Sequence, residues 1–298
     1  MRPFQIAGFV MGVALGASVT PALAQVATAA GLDVSISDVP QGDAAVLTVR
    51  CACELTGVTV TGRPLRAELS MFAGEAGAWQ GLLGVDVDTA PGSYSLNIRA
   101  DRLSGGALSA QHSLVVTRKQ FDTRTLTVAP RFVEPPPDVQ ARIVRDAERL
   151  NAIYATATPL AGFVSMRVPL ETAVTGVFGS RSVFNGQPRS PHVGVDFRGS
   201  VGTAIRAPAA GTVVLADDLY FTGNTVVIDH GQGIHSILAH MSVIGVAAGA
   251  QVTQGDVVGE VGATGRVTGP HLHWSIRLLG ARVNPLSVVE ALTAESRP

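Results

Sequence analysis

Lysine is nearly absent from this chain: of 22 basic side chains, only Lys119 is a lysine. A biotinyl or lipoyl carrier hairpin needs a lysine at its tip. The stretch VAAGAQVTQGDVVGEVG (246–262) has such a strand–turn–strand layout but no lysine, so that reading fails. An excess of charge of one sign is missing too, with 22 basic against 23 acidic side chains and a formal net charge of −1. Such a balance lacks the basic footprint needed to hold phosphates, which excludes nucleic acid as a partner. Beyond the first two dozen residues no apolar run is long enough to span a bilayer. Cysteine is confined to Cys51 and Cys53, so there is no lipid-attachment cysteine after the amino-terminal apolar segment. The C-x-C pair has no histidine near it to build a metal site, and two readings stay open. An oxidising compartment would favour a disulfide, whereas an extended strand places the two Cα atoms near the upper limit for one and leaves two buried thiols.

What is present falls into four stretches. Arg2, an apolar run from about Phe4 to Val19 and the small-residue pattern Ala22-Leu23-Ala24 read as a secretory signal over 1–24. The mature chain is then exported, with no stable membrane insertion after cleavage. Residues 25–120 read as short strands, among them AAVLTVR (44–50), GVTVTG (57–62), YSLNIRA (94–100) and HSLVVTR (112–118), with a turn at Ala90-Pro91-Gly92-Ser93. Strands at this spacing predict a β-sandwich accessory domain of immunoglobulin-like type. The stretch 121–160 is a linker. Pro135-Pro136-Pro137 marks a boundary, Asp138 is placed to cap a helix over 138–157, and Val139, Ile143, Leu150 and Ile153 form its apolar stripe. The rest, 161–290, is β-rich and studded with glycine. The fold class is therefore mainly β: a β-sandwich-like domain, a linker helix and a β-rich carboxy-terminal domain.

Six of the seven histidines lie between positions 192 and 273. His192 and Asp196 stand four apart, His240 follows in ILAHMS, and His271 and His273 stand two apart. Imidazole nitrogens and a carboxylate oxygen are zinc ligands, and a catalytic zinc takes three protein ligands and a water. The run His271-Leu272-His273-Trp274-Ser275-Ile276-Arg277-Leu278 alternates as a half-buried strand does, placing both histidines on one face with Cα atoms roughly 6–7 Å apart. On a straight strand His192 and Asp196 would be about 13 Å apart. A bend at Gly194 is expected to close that gap, with His192 at a loop end and Asp196 at the start of a strand. His230 falls in the turn His230-Gly231-Gln232-Gly233 of a hairpin and His235 reads as a surface residue; His112 lies in the first domain. Asp217 and Asp218 end a strand. Arg181, Arg189 and Arg277 are candidates for contacting substrate carboxylates.

The segments VFGSR (177–181), HVGVD (192–196), APAAGTVV (207–214), GNTVVIDHGQG (223–233), AHMS (239–242) and TGRVTGPHLHW (264–274) resemble the lysostaphin/LytM-type zinc metallopeptidases of family M23, over about 165 to 288. The resemblance implies a LytM-type peptidase domain holding one zinc ion per chain, with His192, Asp196 and His273 as ligands and His240 and His271 as the two non-ligand active-site histidines. Where the family often has tyrosine two residues before the central histidine, this chain has Leu238. The resemblance further implies an exported endopeptidase that cuts the stem-peptide cross-links of peptidoglycan. With no wall-sorting motif or wall-targeting repeat, a periplasmic location is expected. No HExxH glutamate is available as a base, so His240 and His271 together are expected to deprotonate the water and to stabilise the oxyanion or protonate the leaving amine. One alternative is a non-catalytic relative that binds wall or activates an amidase, and another is a peptidase acting on secreted proteins. Degenerate relatives lose ligands or active-site histidines, and this chain keeps all five positions.

Overall fold

The computed structural model describes residues 31–126, 135–159 and 165–295. The signal segment expected over 1–24 lies outside the described residues.

The molecule is mainly β, as expected. Between residues 32 and 117 two sheets share one core. One has four antiparallel strands in the order Leu32–Ser35, Ala44–Cys51, Trp79–Gly84, Phe72–Ala73; the other has five, in the order Val39–Pro40, Ala107–Thr117, Gly92–Arg102, Leu55–Thr61, Leu69–Ser70. Strand alternation decides which side chains go inside. Leu96, Ile98 and Ala100 are buried while Ser95, Asn97 and Arg99 between them are exposed. They meet Leu47, Val49 and Leu82 of the facing sheet in one cluster. Cys51 and Cys53 are joined as a disulfide with Cα atoms 5.0 Å apart, which decides between the two readings of the pair.

The linker helix is real but starts later than expected. Pro137–Val139 forms a single 3-10 turn, the α-helix runs Gln140–Tyr154, and no side chain caps it, so Asp138 is not its cap. The three prolines bring the chain in through that turn and leave Asp138 inside it. The helix lays Leu150, Ile153 and Tyr154 on Leu215, Leu219, Val227 and Ile237. Arg142 and Arg149 fasten it to Asp218 and Asp217, each at 2.8 Å.

The carboxy-terminal part is organised by a ten-stranded sheet whose central path runs Val174–Gly176, Gly194–Arg198, His271–Leu278, Ile234–Ile244, Gly223–Asp229, Gly211–Leu219, Gln251–Val252. The hairpin read around His230–Gly233 is present, joining Gly223–Asp229 to Ile234–Ile244. Trp274 is fully buried on the face opposite the histidines, and its Nε1–H donates to Ser236 Oγ at 3.3 Å. Truncating so large a buried side chain costs about 3–5 kcal/mol, so Trp274 is a principal anchor of the strand that carries His271 and His273.

The two parts are closely joined. Asp86 is buried and accepts from both the backbone N–H and the guanidinium of Arg282. Asn284 N–H donates to Gly42 O at 2.6 Å, and the helix Pro285–Glu295 packs on Ala44–Cys51.

Candidate metal centre and active site

Strand pairing builds the centre. Gly194–Arg198 and Ile234–Ile244 flank His271–Leu278 on either side, in a register that sets both Asp196 and Ala239 opposite His273. Side chains directly opposite in such a pair have Cβ atoms about 5 Å apart, so Asp196 reaches His273 by pairing alone. His192 precedes the strand in an irregular segment. Its N–H donates to Ser180 O at 2.9 Å, and its carbonyl accepts from Gly179 N–H at 2.7 Å. The expectation of His192 on a loop and Asp196 on a strand therefore holds, but Gly194 serves for a different reason. It begins the strand and is not one of the left-handed residues. A Cβ there would lie 2.7 Å from His273 Nε2 and 2.5 Å from Trp274 O, so glycine is needed for close approach. Gly176 does the same for Asp196, whose carboxylate occupies the space a Cβ would need.

The donor atoms converge. His192 Nε2 is 3.1 Å from both Asp196 Oδ1 and His273 Nδ1, and Asp196 Oδ1 is 2.9 Å from His273 Nδ1. Among the described residues this is the only group of three His, Cys, Asp or Glu side chains whose ligand atoms all lie so close together. Three histidines are held in one orientation by carbonyl oxygens, which can only accept. Nδ1–H of His192 donates to Val177 O at 3.0 Å, that of His240 to Thr264 O at 2.9 Å, and that of His271 to Gly269 O at 2.9 Å. With Nδ1 so engaged, each presents Nε2 away from the backbone. His271 Nε2 lies 3.7 Å from Asp196 Oδ1, and the His240 ring centre is 4.9 Å from that of His271 and 5.9 Å from that of His273.

His240 reaches this face through an irregularity. Strict alternation along Ile234–Ile244 would put His235, Ile237 and Ala239 on the face of His273 and Asp196, and His240 on the far side with Leu238. Instead the pairing slips: Val226 faces Leu238 and Asn224 faces Met241, so Thr225 spans Ala239 and His240. At this bulge His240 takes φ 65, and its N–H donates to Thr222 O at 2.9 Å. A bulge re-aims a side chain, and here it brings His240 to the site.

The charges follow from the contacts. Burial opposes ionisation of Asp196, but hydrogen bonds from His192 and His273 outweigh it and hold the carboxyl far below its usual range. Burial likewise disfavours a charge on His192, yet Asp196 prevails and raises its pKa. For His273 burial prevails and lowers it. Burial, with His273 adding to it, pushes His240 down to about 4, so that imidazole is neutral near pH 7.

Other expectations fared differently. His230 sits in the hairpin turn as expected, though buried, whereas His235 is fully buried and not a surface residue. The end of the linker segment covers His235, with Thr156 Oγ1 3.2 Å from His235 Nε2 and the Tyr154 ring at 6.1 Å. Asp217 and Asp218 sit at the end of a strand and bind helix arginines. Arg181 pairs with Asp88 at 3.3 Å, and Arg277 is stacked on Tyr154 at 5.0 Å, so these two are engaged within the protein. Arg266 was missed by the sequence reading. Its guanidinium lies 4.4 Å over the Phe221 ring, on the loop that supplies the carbonyl partners of His240 and His271.

Residues 190–285 match the model of peptidase family M23. A Pseudomonas aeruginosa protein, whose crystal structure is assigned to peptidase M23, is 31% identical with a TM-score of 0.64, and the match covers 86% of this chain and 96% of that one. The chain belongs to peptidase family M23. That likeness takes in residues well outside the 190–285 segment. Among curated M23 relatives, the DD-carboxypeptidase/endopeptidase Mpg of Neisseria meningitidis serogroup B is 43% identical over 97 residues, covering 33% of this chain and 22% of that protein. The peptidoglycan DD-endopeptidase ShyA of Vibrio cholerae is 40% identical over 97 residues, covering 33% of this chain and 23% of that protein. The chain thus spans less than a quarter of the length of either curated relative.

Proposed function

We propose that this M23 chain is an exported zinc endopeptidase that hydrolyses peptide cross-links of peptidoglycan in the periplasm. The observation that carries the reading is the convergence of His192 Nε2, Asp196 Oδ1 and His273 Nδ1 at 2.9–3.1 Å from one another. Two imidazole nitrogens and a carboxylate oxygen suit a three-ligand zinc site with an open fourth position. The carbonyl of Val177, which fixes the His192 ring, is the outer partner such a ligand needs. When bound, zinc supplies Lewis acidity toward the scissile carbonyl and acidifies water toward neutrality.

The remaining chemistry belongs to the protein. Asp196 stays ionised and contributes the one negative charge of the ligand set. His240, neutral near pH 7 and with Nδ1–H bound to Thr264 O, offers Nε2 as a proton acceptor. His271, with Nδ1–H bound to Gly269 O, brings its Nε2 beside Asp196. Between them the two histidines take the proton of the attacking water and either hydrogen-bond the developing oxyanion or return a proton to the leaving amine. Peptidoglycan as substrate is supported by the names of the Neisseria and Vibrio relatives, and an extracytoplasmic location follows from that substrate. All five positions are present and brought together, which counts against the wall-binding or amidase-activating alternative.

The test pairs zinc analysis with digestion of purified sacculi. The wild-type chain should hold about one zinc and convert cross-linked muropeptide dimers to monomers. His271→Ala should keep the zinc and lose about 10²–10⁴-fold in turnover, whereas His273→Ala should lose the zinc. Zinc-loaded wild type that leaves the dimers intact would sink the reading.

A further inference from the structure

Arg266 occupies an unusual position beside the histidines. The segment 263–270 supplies Thr264 O to His240 and Gly269 O to His271, and Arg266 lies between these two carbonyls in the chain. The segment is docked against its neighbour. Arg266 N–H donates to Phe221 O at 2.9 Å, and Gly265, at φ 75, lies so near the backbone of Phe221 and Gly223 that a Cβ would collide with it. Arg266 is an exposed residue, yet its guanidinium is partly buried and rests 4.4 Å over the Phe221 ring, which restricts its orientation before any ligand arrives. A preset fork loses less freedom on binding than a free one.

The charge around it points the same way. Arg66, Arg99, Arg142, Arg149, Arg181 and Arg282 each end on an aspartate, but among the described residues Arg266 makes no such pair. Its charged neighbour is another cation. Partial burial and then the repulsion of Arg189 both lower the Arg266 pKa. Arg189 comes from a different segment, held by its backbone N–H on Ser182 O at 2.8 Å and by its guanidinium on Gln187 Oε1 at 3.1 Å. Arg266 therefore stands on the loop whose carbonyls orient His240 and His271, without an aspartate or glutamate paired to it among the described residues and repelled by a second cation, and that setting favours an anion. The planar fork fits a carboxylate with two parallel hydrogen bonds.

We propose that Arg266 forms a carboxylate subsite that selects peptides bearing a free carboxylate next to the scissile bond. This rests on the endopeptidase reading above and narrows its substrate class. The subsite binds and positions; it takes no part in bond breaking.

The test uses the zinc-loaded full chain and two synthetic cross-linked peptides that differ only in whether the carboxylate beside the scissile bond is free or amidated. Wild type should favour the free carboxylate by about tenfold or more in kcat/KM. Arg266→Gln should bring that ratio to within about twofold of unity with zinc content unchanged, and Arg266→Lys should retain part of it. A ratio unaltered in Arg266→Gln would overturn the proposal. Binding is read separately in the His271→Ala background, by calorimetry with the same two peptides and with or without Arg266→Gln. If wild type cleaves neither peptide, the endopeptidase reading fails. The subsite still stands if the free carboxylate lowers Kd only when Arg266 is present, and falls if the two peptides bind alike.

Discussion

At His240 chemistry and backbone preference pull in opposite directions. A left-handed φ of 65 costs a non-glycine residue about 1 kcal/mol or more, and the surrounding bulge holds His240 there because Nε2 must face the site. Asparagine tolerates that conformation better than most residues, whereas valine, branched at Cβ, does not. His240→Asn should therefore retain the zinc and the wild-type melting temperature while turnover falls about 10²–10⁴-fold. His240→Val should lose turnover as well and be less stable by about 2 kcal/mol. Thermal melts with zinc analysis on both variants check this. A His240→Asn protein that melts far below wild type would mean that the side chain supports the fold and that its loss of activity says nothing about chemistry.

The strand His271–Leu278 serves two purposes, one on each face. Its site face carries the histidines, while on the other face Trp274 Nε1–H donates to Ser236 Oγ, and Ser236 O–H donates to His230 Nε2 at 2.9 Å. His230 Nδ1–H closes the chain on Ala210 O at 2.8 Å. The carbonyl fixes the proton on Nδ1, and burial, the largest cause, pushes the His230 pKa down to about 4, so the ring is neutral near pH 7 and Nε2 accepts. A depressed histidine contributes stability that is complete above its unfolded pKa of about 6.5 and drains away as pH falls toward 4. Denaturant midpoints should accordingly fall from pH 7 to pH 5, with about 2 kcal/mol lost from His230 alone. Ser236→Ala should cost about 2 kcal/mol at pH 7, because two buried partners lose their hydrogen bonds. His230→Asn should be less stable at pH 7 yet lose less on acidification; its dependence will not vanish, since His240 titrates in the same range. A wild-type midpoint unchanged between pH 7 and pH 5 would contradict this account. This element also shows what was legible beforehand. HLHWSIRL declares its two faces because strand periodicity is written residue by residue, and HVGVD carries two of the three side chains that converge with His273. The His240 bulge leaves no such trace, since no glycine or proline marks it. His235 was misread because the residues that cover it, Tyr154 and Thr156, lie some 80 positions upstream in the chain. Arg266 sits in a loop whose meaning depends on contacts with Phe221 and Arg189, and local pattern does not encode those.

For the molecule as a whole, the contacts between the first two sheets and the peptidase sheet matter most. Gly84 approaches Leu278 and Val283 so closely that a Cβ would lie 2.9 and 2.8 Å from them, and buried residues of both parts form one cluster. At this junction Asp86 accepts from Arg282 and lies 3.2 Å from Arg66. Burial alone would raise the Asp86 pKa, but the Arg282 hydrogen bonds outweigh it and bring the group down to about 2. A depressed carboxylate contributes stability that is present above its unfolded pKa of about 4 and is lost as pH falls through about 2, so the junction should hold at neutral pH and loosen in strong acid. Removing one partner of a buried pair leaves the other uncompensated, and Asp86→Asn should cost about 3 kcal/mol at pH 7. Native-state hydrogen exchange can report on both parts together, by following amides at Leu96–Ala100 in the first unit and Leu272–Ile276 in the second. In the wild type the two sets should open at the same denaturant concentration, since a shared core makes the parts unfold as one. In Asp86→Asn they should separate. Separate opening in the wild type would show that the shared core does not couple the two parts, and the first sheets would then be an appendage to the peptidase rather than part of its folding unit.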